Sequence, residues 1–284
     1  MPEPAISASS PSPLARKRVV ITRPIAQSAA LCEALRASGA EPLQFPLIRI
    51  VPAEDLSKLD EGLLLLRPGD WIVFTSQNAV SPVAERFQTL RAKNLGAARD
   101  IQIAAIGSAT ERVAREAGFT VQRVAKGDGG LSLAKAVREW VANRRILIPR
   151  SDLADDALPE ILRQFGGEVI EAVVYRTEPT CEFAEDLNAS LDSNSVDAIV
   201  CFSPSAVHSL LQNMSADRLR SAQHKIAFVA IGATTASAFA EIGVSKPLIA
   251  ANTTIEGIVD TLRAHFAGTS NFQGSAEPAG VKRI

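Results

Sequence analysis

The chain repeats itself, and that constrains its fold more than any single motif. ITRPIAQSAALCEALRASGAE at 21–41 lies over IPRSDLADDALPEILRQFGGE at 148–168, 127 positions on. Ile21, Arg23, Leu31, Glu33, Leu35, Arg36, Gly39 and Glu41 meet identical residues there. At the same offset Asp70, Val73, Ser76, Ala79 and Val80 meet Asp197, Val200, Ser203, Ala206 and Val207, and Pro52 falls on Pro179. A further pair, AAIGSATERVAREAGF and VAIGATTASAFAEIGV, aligns at 125, which implies a two-residue deletion in a loop between the blocks. Three blocks in one order are a duplication, so each half must supply the same kind of folding unit.

Each half alternates strand with helix. RVVIT (18–22) is a short apolar run with β-branched residues, and Pro24 suits a first helical turn. Leu31 and Leu35 mark a helical stripe, and Gly39 sits where a left-handed C-cap belongs. WIVFT (71–75) and IQIAAIG (101–107) are nearly all apolar, as parallel strands covered on both faces should be. A helix from about Thr110 to Glu116, closed by Gly118, follows; ILIP, AIVCF and IAFVAIG repeat the pattern. The expectation is an α/β protein of two similar doubly wound, flavodoxin-like domains with parallel sheets.

Composition removes several classes of function. A formal charge of −1 leaves no basic excess to recruit nucleic acid or a membrane surface. Three cysteines, Cys32, Cys181 and Cys201, lack metal-type spacing and predict a reducing, cytoplasmic setting. MPEPAISASSPSPLARKR has no apolar core, so residues 1–17 read as a disordered leader, and 267–284 read as a flexible tail. The uncharged run from Ile226 to Ala240 is too short for a span and predicts a buried strand plus helix.

Ligands of open α/β sheets bind beyond the carboxyl ends of the strands. Four repeated turns, T-S-Q-N, I-G-S-A-T, F-S-P-S and I-G-A-T-T, fall there. They offer Thr75, Ser76, Asn78, Gly107, Thr110, Ser203, Ser205, Gly232 and Thr235 as candidate binding residues. Unpaired backbone N–H groups and the helix dipole favour an anion at such starts. Serine and threonine are also ordinary N-caps that need no ligand. No G-x-x-x-x-G-K-[ST] or G-x-G-x-x-G occurs, so a polycarboxylate fits better than a nucleotide. Arg23 and Arg150, paired by the repeat, end equivalent strands and are candidate carboxylate clamps, with a structural salt bridge as the alternative.

Other chemistries find little support. His208, His224 and His265 have no metal or triad spacing, and no G-x-S-x-G elbow exists. Lys126 to Gly130 reads as a connecting loop. Tyr175, the single tyrosine, lies in the apolar strand EAVVYRTEP, where its hydroxyl needs a partner.

ITRP with its Ala/Leu helix, FTSQNAV, AAIGSAT closed by EAGF, VVYRT, FSPSAV and VAIGATTASAFAEIG come in the order seen in uroporphyrinogen-III synthases, and over residues 18–264 the chain resembles that family. The resemblance implies two α/β domains joined by a two-stranded linker and connected in an interleaved way. Residues 18–45 with 180–266 would form one domain and 52–172 the other, with linker strands at 46–51 and 173–179. It also implies a substrate, the linear tetrapyrrole hydroxymethylbilane, whose eight carboxylates match the anion-favouring helix starts. Ring closure to uroporphyrinogen III would lose water and invert the last pyrrole through a spiro intermediate, with no metal or organic cofactor. Tyr175, matching the VVYRT tyrosine, would assist departure of the hydroxyl. Nothing in the sequence demands more than a monomer, and transient contact with the preceding pathway enzyme is a further expectation. The rival expectation is a non-catalytic tetrapyrrole or polycarboxylate binder of the same fold.

Overall fold

The computed structural model describes residues 12–93, 100–125 and 130–270. In chain order the strands are β1 (Arg18–Ile21), β2 (Glu41–Gln44), β3 (Ile48–Pro52), β4 (Trp71–Phe74), β5 (Gln102–Ile106), β6 (Val121–Ala125), β7 (Arg145–Ser151), β8 (Glu168–Pro179), β9 (Ala198–Cys201), β10 (Ala227–Ala230) and β11 (Leu248–Ile249). The helices are α1 (Ala29–Ala37), α2 (Ser57–Leu65), α3 (Val80–Ala92), α4 (Gly107–Glu116), α5 (Gly130–Val137), α6 (Ala157–Gln164), α7 (Ala184–Asp192), α8 (Pro204–Asn213), α9 (Ala216–Ala222), α10 (Ala233–Glu241) and α11 (Ile255–Ser270).

The chain divides into two units. Unit 1 takes Met1–Ile48 and Pro179–Ile284, and unit 2 is Arg49–Glu178. In unit 1 the sheet order is β2-β1-β9-β10-β11, with parallel pairing such as Val19 to Ala198 and Ala227 to Ala198. Counted along the chain, that is the order 2-1-3-4-5 of flavodoxin-like sheets. Unit 2 has the order β8-β7-β4-β5-β6, with β3 at the edge beside β8. The same 2-1-3-4-5 path appears there if counting starts at β7. Each unit therefore joins the opening βαβ of one repeat to the later strands of the other.

Alternation along the strands explains why both faces are covered. Val20 points into one unit 1 core with Ile199, Phe228 and Phe239. Its neighbours Val19 and Ile21 point into the other, with Leu35, Val200 and Leu262. In unit 2, Ile72 and Phe74 pack on one side and Trp71 and Val73 on the other. No helix among the described residues is long and apolar enough to cross a membrane. The uncharged run beginning at Ile226 resolves into β10 and α10.

One repeat pair fixes the entry of the central strands. The Asp197 carboxylate, just before β9, accepts the backbone N–H of Arg18 at 2.8 Å and the Arg18 and Lys17 side chains at 3.4 Å. The Asp70 carboxylate, just before β4, accepts the N–H of Arg145 at 3.0 Å and of Arg67 at 2.8 Å. Each aspartate thus ties its own strand to the first amide of β1 or β7. Those amides begin the strands and would otherwise lack a ladder partner.

The structure departs from sequence expectation at the margins. The leader expected to run through residue 17 is already folded at Ser12: Leu14 is fully buried, and Arg16 donates its N–H to the Gly39 carbonyl at 2.8 Å. Gly39 has φ +88°, and a Cβ there would sit 3.3 Å from the Ala15 backbone, so this turn requires glycine. α11 continues to Ser270, past the expected end at 266. Residues 173–179, expected as a linker strand, form the second half of the twelve-residue β8, and the chain passes between units at its end, Glu178/Pro179. α4 starts at Gly107, one turn earlier than expected. Residues 1–11, 94–99, 126–129 and 271–284, including most of the anticipated Lys126 to Gly130 loop, lie outside the described residues.

Asp70→Ala leaves two backbone amides without their carboxylate and is expected to cost about 2–3 kcal/mol of stability. Asp197→Ala should cost somewhat less, because its side chain keeps 23% exposure. Thermal melts of the two variants beside the parent check both the loss and its order.

Candidate functional site

The topological switch of a 2-1-3-4-5 sheet lies where neighbouring crossovers diverge, between its first and third strands. In unit 1 that is the mouth above β1 and β9; in unit 2 it is the mouth above β7 and β4. Several of the residues singled out by sequence lie at the strand ends and helix starts of these two units.

In unit 1, β1 runs through Thr22 into Arg23. Thr22 is fully buried, and its hydroxyl donates to the Val200 carbonyl at 2.8 Å, stitching the two strands together at the switch. Arg23 then lies with its guanidinium 4.7 Å above the Phe202 ring. Its Nη2 donates to Gln27 at 3.3 Å, while its Nε is sealed and has no partner. Burial pushes the Arg23 pKa below its ordinary value by penalising the charged form. No carboxylate of the described residues pairs with it, so the cation is held by an aromatic face and an amide. A guanidinium in that state is well suited to an incoming carboxylate.

Ser203 caps α8, its Oγ accepting the Ala206 N–H at 3.2 Å, and Ser205 is half-buried in the first turn. Gly232 precedes α10 with extended backbone. Thr235, by contrast, is 3% exposed and belongs to the helix packing rather than the mouth.

Unit 2 uses equivalent positions differently. Ser76 accepts the Asn78 N–H at 3.2 Å, and Thr75 and Asn78 are half-buried beside it. Gly107 opens α4 with φ +74°, and a Cβ added there would meet nothing within 4 Å. Thr110 is buried at 6% exposure, as its repeat partner Thr235 is.

Arg150 differs most from the expectation of a ligand clamp. It is 8% exposed, and its guanidinium donates to Asp156 at 2.9 Å, to Glu171, and to the carbonyls of Ala154 and Asp155. Glu171 also accepts from Arg163 at 2.6 Å. With its terminal nitrogens so engaged, Arg150 holds the loop after β7 and is not offered to a ligand. The salt-bridge alternative describes it. Its repeat partner Arg23 is half-buried and pairs with no carboxylate of the described residues.

Tyr175 pairs with Ser151 at the carboxyl end of β7 and packs into a unit 2 core with 8% exposure. Its hydroxyl makes no hydrogen bond to a described residue. His208 is an exposed helix residue 2.9 Å from Glu241. Thr22 and Phe202 are contributors that sequence reasoning passed over. The usable signal was divergence within the repeat: Phe202 stands where the other half has Thr75, and Thr22 where it has Pro149.

Comparison with known proteins places the chain. The sequence model of the uroporphyrinogen-III synthase HemD family matches residues 29–260. The chain belongs to the uroporphyrinogen-III synthase family. The porphyrin biosynthesis protein HemD of Ruminiclostridium josui is 28% identical over 253 residues, 88% of this chain, which spans about half (49%) of that relative. The uroporphyrinogen-III synthase of Synechococcus elongatus is 26% identical, over 72% of this chain and 77% of its own. The chloroplastic enzyme of Oryza sativa is 28% identical, over 92% and 84%. Two solved structures share the fold. One is a mutant uroporphyrinogen III synthase of Thermus thermophilus, with TM-score 0.58, 22% identity and coverage of 90% and 99%. The other is uroporphyrinogen-III synthetase of Helicobacter pylori, with TM-score 0.55, 18% identity and coverage of 88% and 99%.

Arg150→Ala leaves the Glu171 carboxylate, 25% exposed, with Arg163 as its remaining partner and frees the loop after β7 that Arg150 holds. The expected loss is about 2 kcal/mol, the scale of the charge-assisted hydrogen bonds removed, visible as a lowered denaturation midpoint. A variant as stable as the parent would make the network expendable.

Proposed function

We propose that this chain closes hydroxymethylbilane to uroporphyrinogen III, with loss of water and inversion of the last pyrrole ring. The observation that carries the reading is the family match over residues 29–260. The geometry of unit 1 supports it: Arg23 stacked on Phe202 at the sheet's switch point is a ready partner for a carboxylate. Serine-capped helix starts at Ser76 and Ser203 add backbone amides suited to further carboxylates. Thr75, Asn78, Gly107, Ser205 and Gly232 complete the half-buried surface around these starts.

The terminal C–O bond of the substrate breaks, and the hydroxyl leaves as water once it has gained a proton. The azafulvene left behind is electrophilic at that carbon. Attack by the substituted carbon of the far ring forms a spiro intermediate. Cleavage of that ring's original bond and reclosure at the other α-carbon, with loss of a proton, complete the inverted macrocycle. The free substrate can also close directly, so the protein's main contribution is to hold the bent geometry that leads to the spiro route. Tyr175 supplies a phenolic O–H donor to the departing hydroxyl.

The decisive assay gives the purified chain freshly generated hydroxymethylbilane and separates the oxidised product isomers. Type III product is expected; type I alone, as without protein, would leave a binder of the same fold. Tyr175→Phe should lower kcat by about tenfold or more, at the weak end of general-acid effects, with the melting temperature nearly unchanged. Unaltered turnover would remove the tyrosine from the reaction. Arg23→Gln should instead raise KM by about tenfold, the worth of one charged hydrogen bond, and shift stability little. Unchanged kinetics with a collapsed melting temperature would make Arg23 structural.

A further inference from the structure

A cavity of unit 1, of about 540 Å³, lies at the opposite end of the sheet from Arg23. Its rim is set by the residues that enter the strands: Lys17 before β1, Asp197 before β9, Lys225 and Ile226 before β10, and Lys246 before β11. His224 and His265, two of the chain's three histidines, also line it. Phe228 and Phe266, both nearly buried, give it an apolar floor.

The electrostatic balance here is positive. The one lining carboxylate, Asp197, is already engaged by the Arg18 amide and by the Lys17 and Arg18 side chains. Lys225 and Lys246 form no ion pair among the described residues. Lys17 also spreads its charge over the Phe266 ring at 4.7 Å, and burial, together with the field of Lys17, pushes the His265 pKa down.

The pocket is also held open in one shape. Gln223, after α9, accepts both the N–H and the hydroxyl of Ser245, after α10, at 3.1 and 3.3 Å. The two lysine-bearing loops are therefore tethered to each other rather than free to collapse.

We propose that this cavity is a second binding site, for a small organic anion carrying at least two phosphate or carboxylate charges. Lys225 and Lys246 supply the charge, the imidazoles of His224 and His265 supply hydrogen bonds, and the phenylalanine floor takes the ligand's apolar part. A cavity of about 540 Å³ holds a small metabolite. The site is independent of the reaction assigned to the chain, because it lies at the amino ends of the strands.

The histidines make the test direct. Imidazole resonances of the intact protein are followed while pyrophosphate or citrate is added at constant ionic strength. His224 and His265 should shift saturably and His208, which does not line the cavity, should stay still. A response to pyrophosphate alone assigns phosphate chemistry; a response to citrate alone assigns carboxylate chemistry. Saturation in the Lys225→Gln/Lys246→Gln variant should need at least about tenfold more anion, each lost contact being charge-assisted, while porphyrinogen synthesis is unchanged. Still resonances, a drift shared by all three histidines, or unaltered saturation in the double variant would each overturn the proposal.

Discussion

Parallel pairing is the constraint on which the architecture rests. A parallel neighbour cannot be reached by a tight turn, so every strand needs a crossover that returns to the same end of the sheet. Those crossovers cover both faces, which is why Val19, Val20 and Ile21 are all fully buried although consecutive side chains point opposite ways. The central strands β1 and β7 then need something other than a hairpin to fix where they begin. Asp197 and Asp70 do this by accepting their first amides, and both aspartates belong to strands far away in sequence. The register of each sheet is therefore set by a contact between the two repeats, not within one.

That dependence accounts for the interleaving. A unit built from β1 and β2 alone could not cap its own central strand, since the carboxylate arrives with β9. The same holds for β7, capped from β4. Exchange of opening segments between repeats leaves each sheet complete, and the chain passes between units only at Ile48/Arg49 and Glu178/Pro179.

What was legible in the sequence follows the range of the interactions involved. The glycine closures at Gly39, Gly118, Gly166 and Gly243 all have positive φ, as local helix-end geometry demands. The serine caps at Ser76 and Ser203 were legible for the same reason: donor and acceptor are two or three residues apart. The roles of Arg23 and Arg150 were not. Identity at paired positions suggested identical duty, but Arg150 meets Glu171, for which the repeat offers Gln44 at the Arg23 unit. Phe202 approaches Arg23 from 179 positions away. Leu14 illustrates the converse error. Proline and serine around it read as disorder, yet one apolar side chain and the Gly39 carbonyl were enough to fold the segment.

The two ends of the unit 1 sheet present opposite problems to an anion. At the carboxyl ends, helix N-termini bring unpaired N–H groups and a favourable dipole, so one arginine beside capped helix starts is enough to make the mouth attractive. At the amino ends, helix C-termini point their carbonyls the other way and would repel the same ligand. A cavity there can hold an anion only if side chains overcome that field. Lysines concentrated around the cavity, with a single and already satisfied carboxylate, are what such a site would require. The contrast between one stacked arginine at one end and several lysines at the other therefore follows from the direction in which the same strands and helices run.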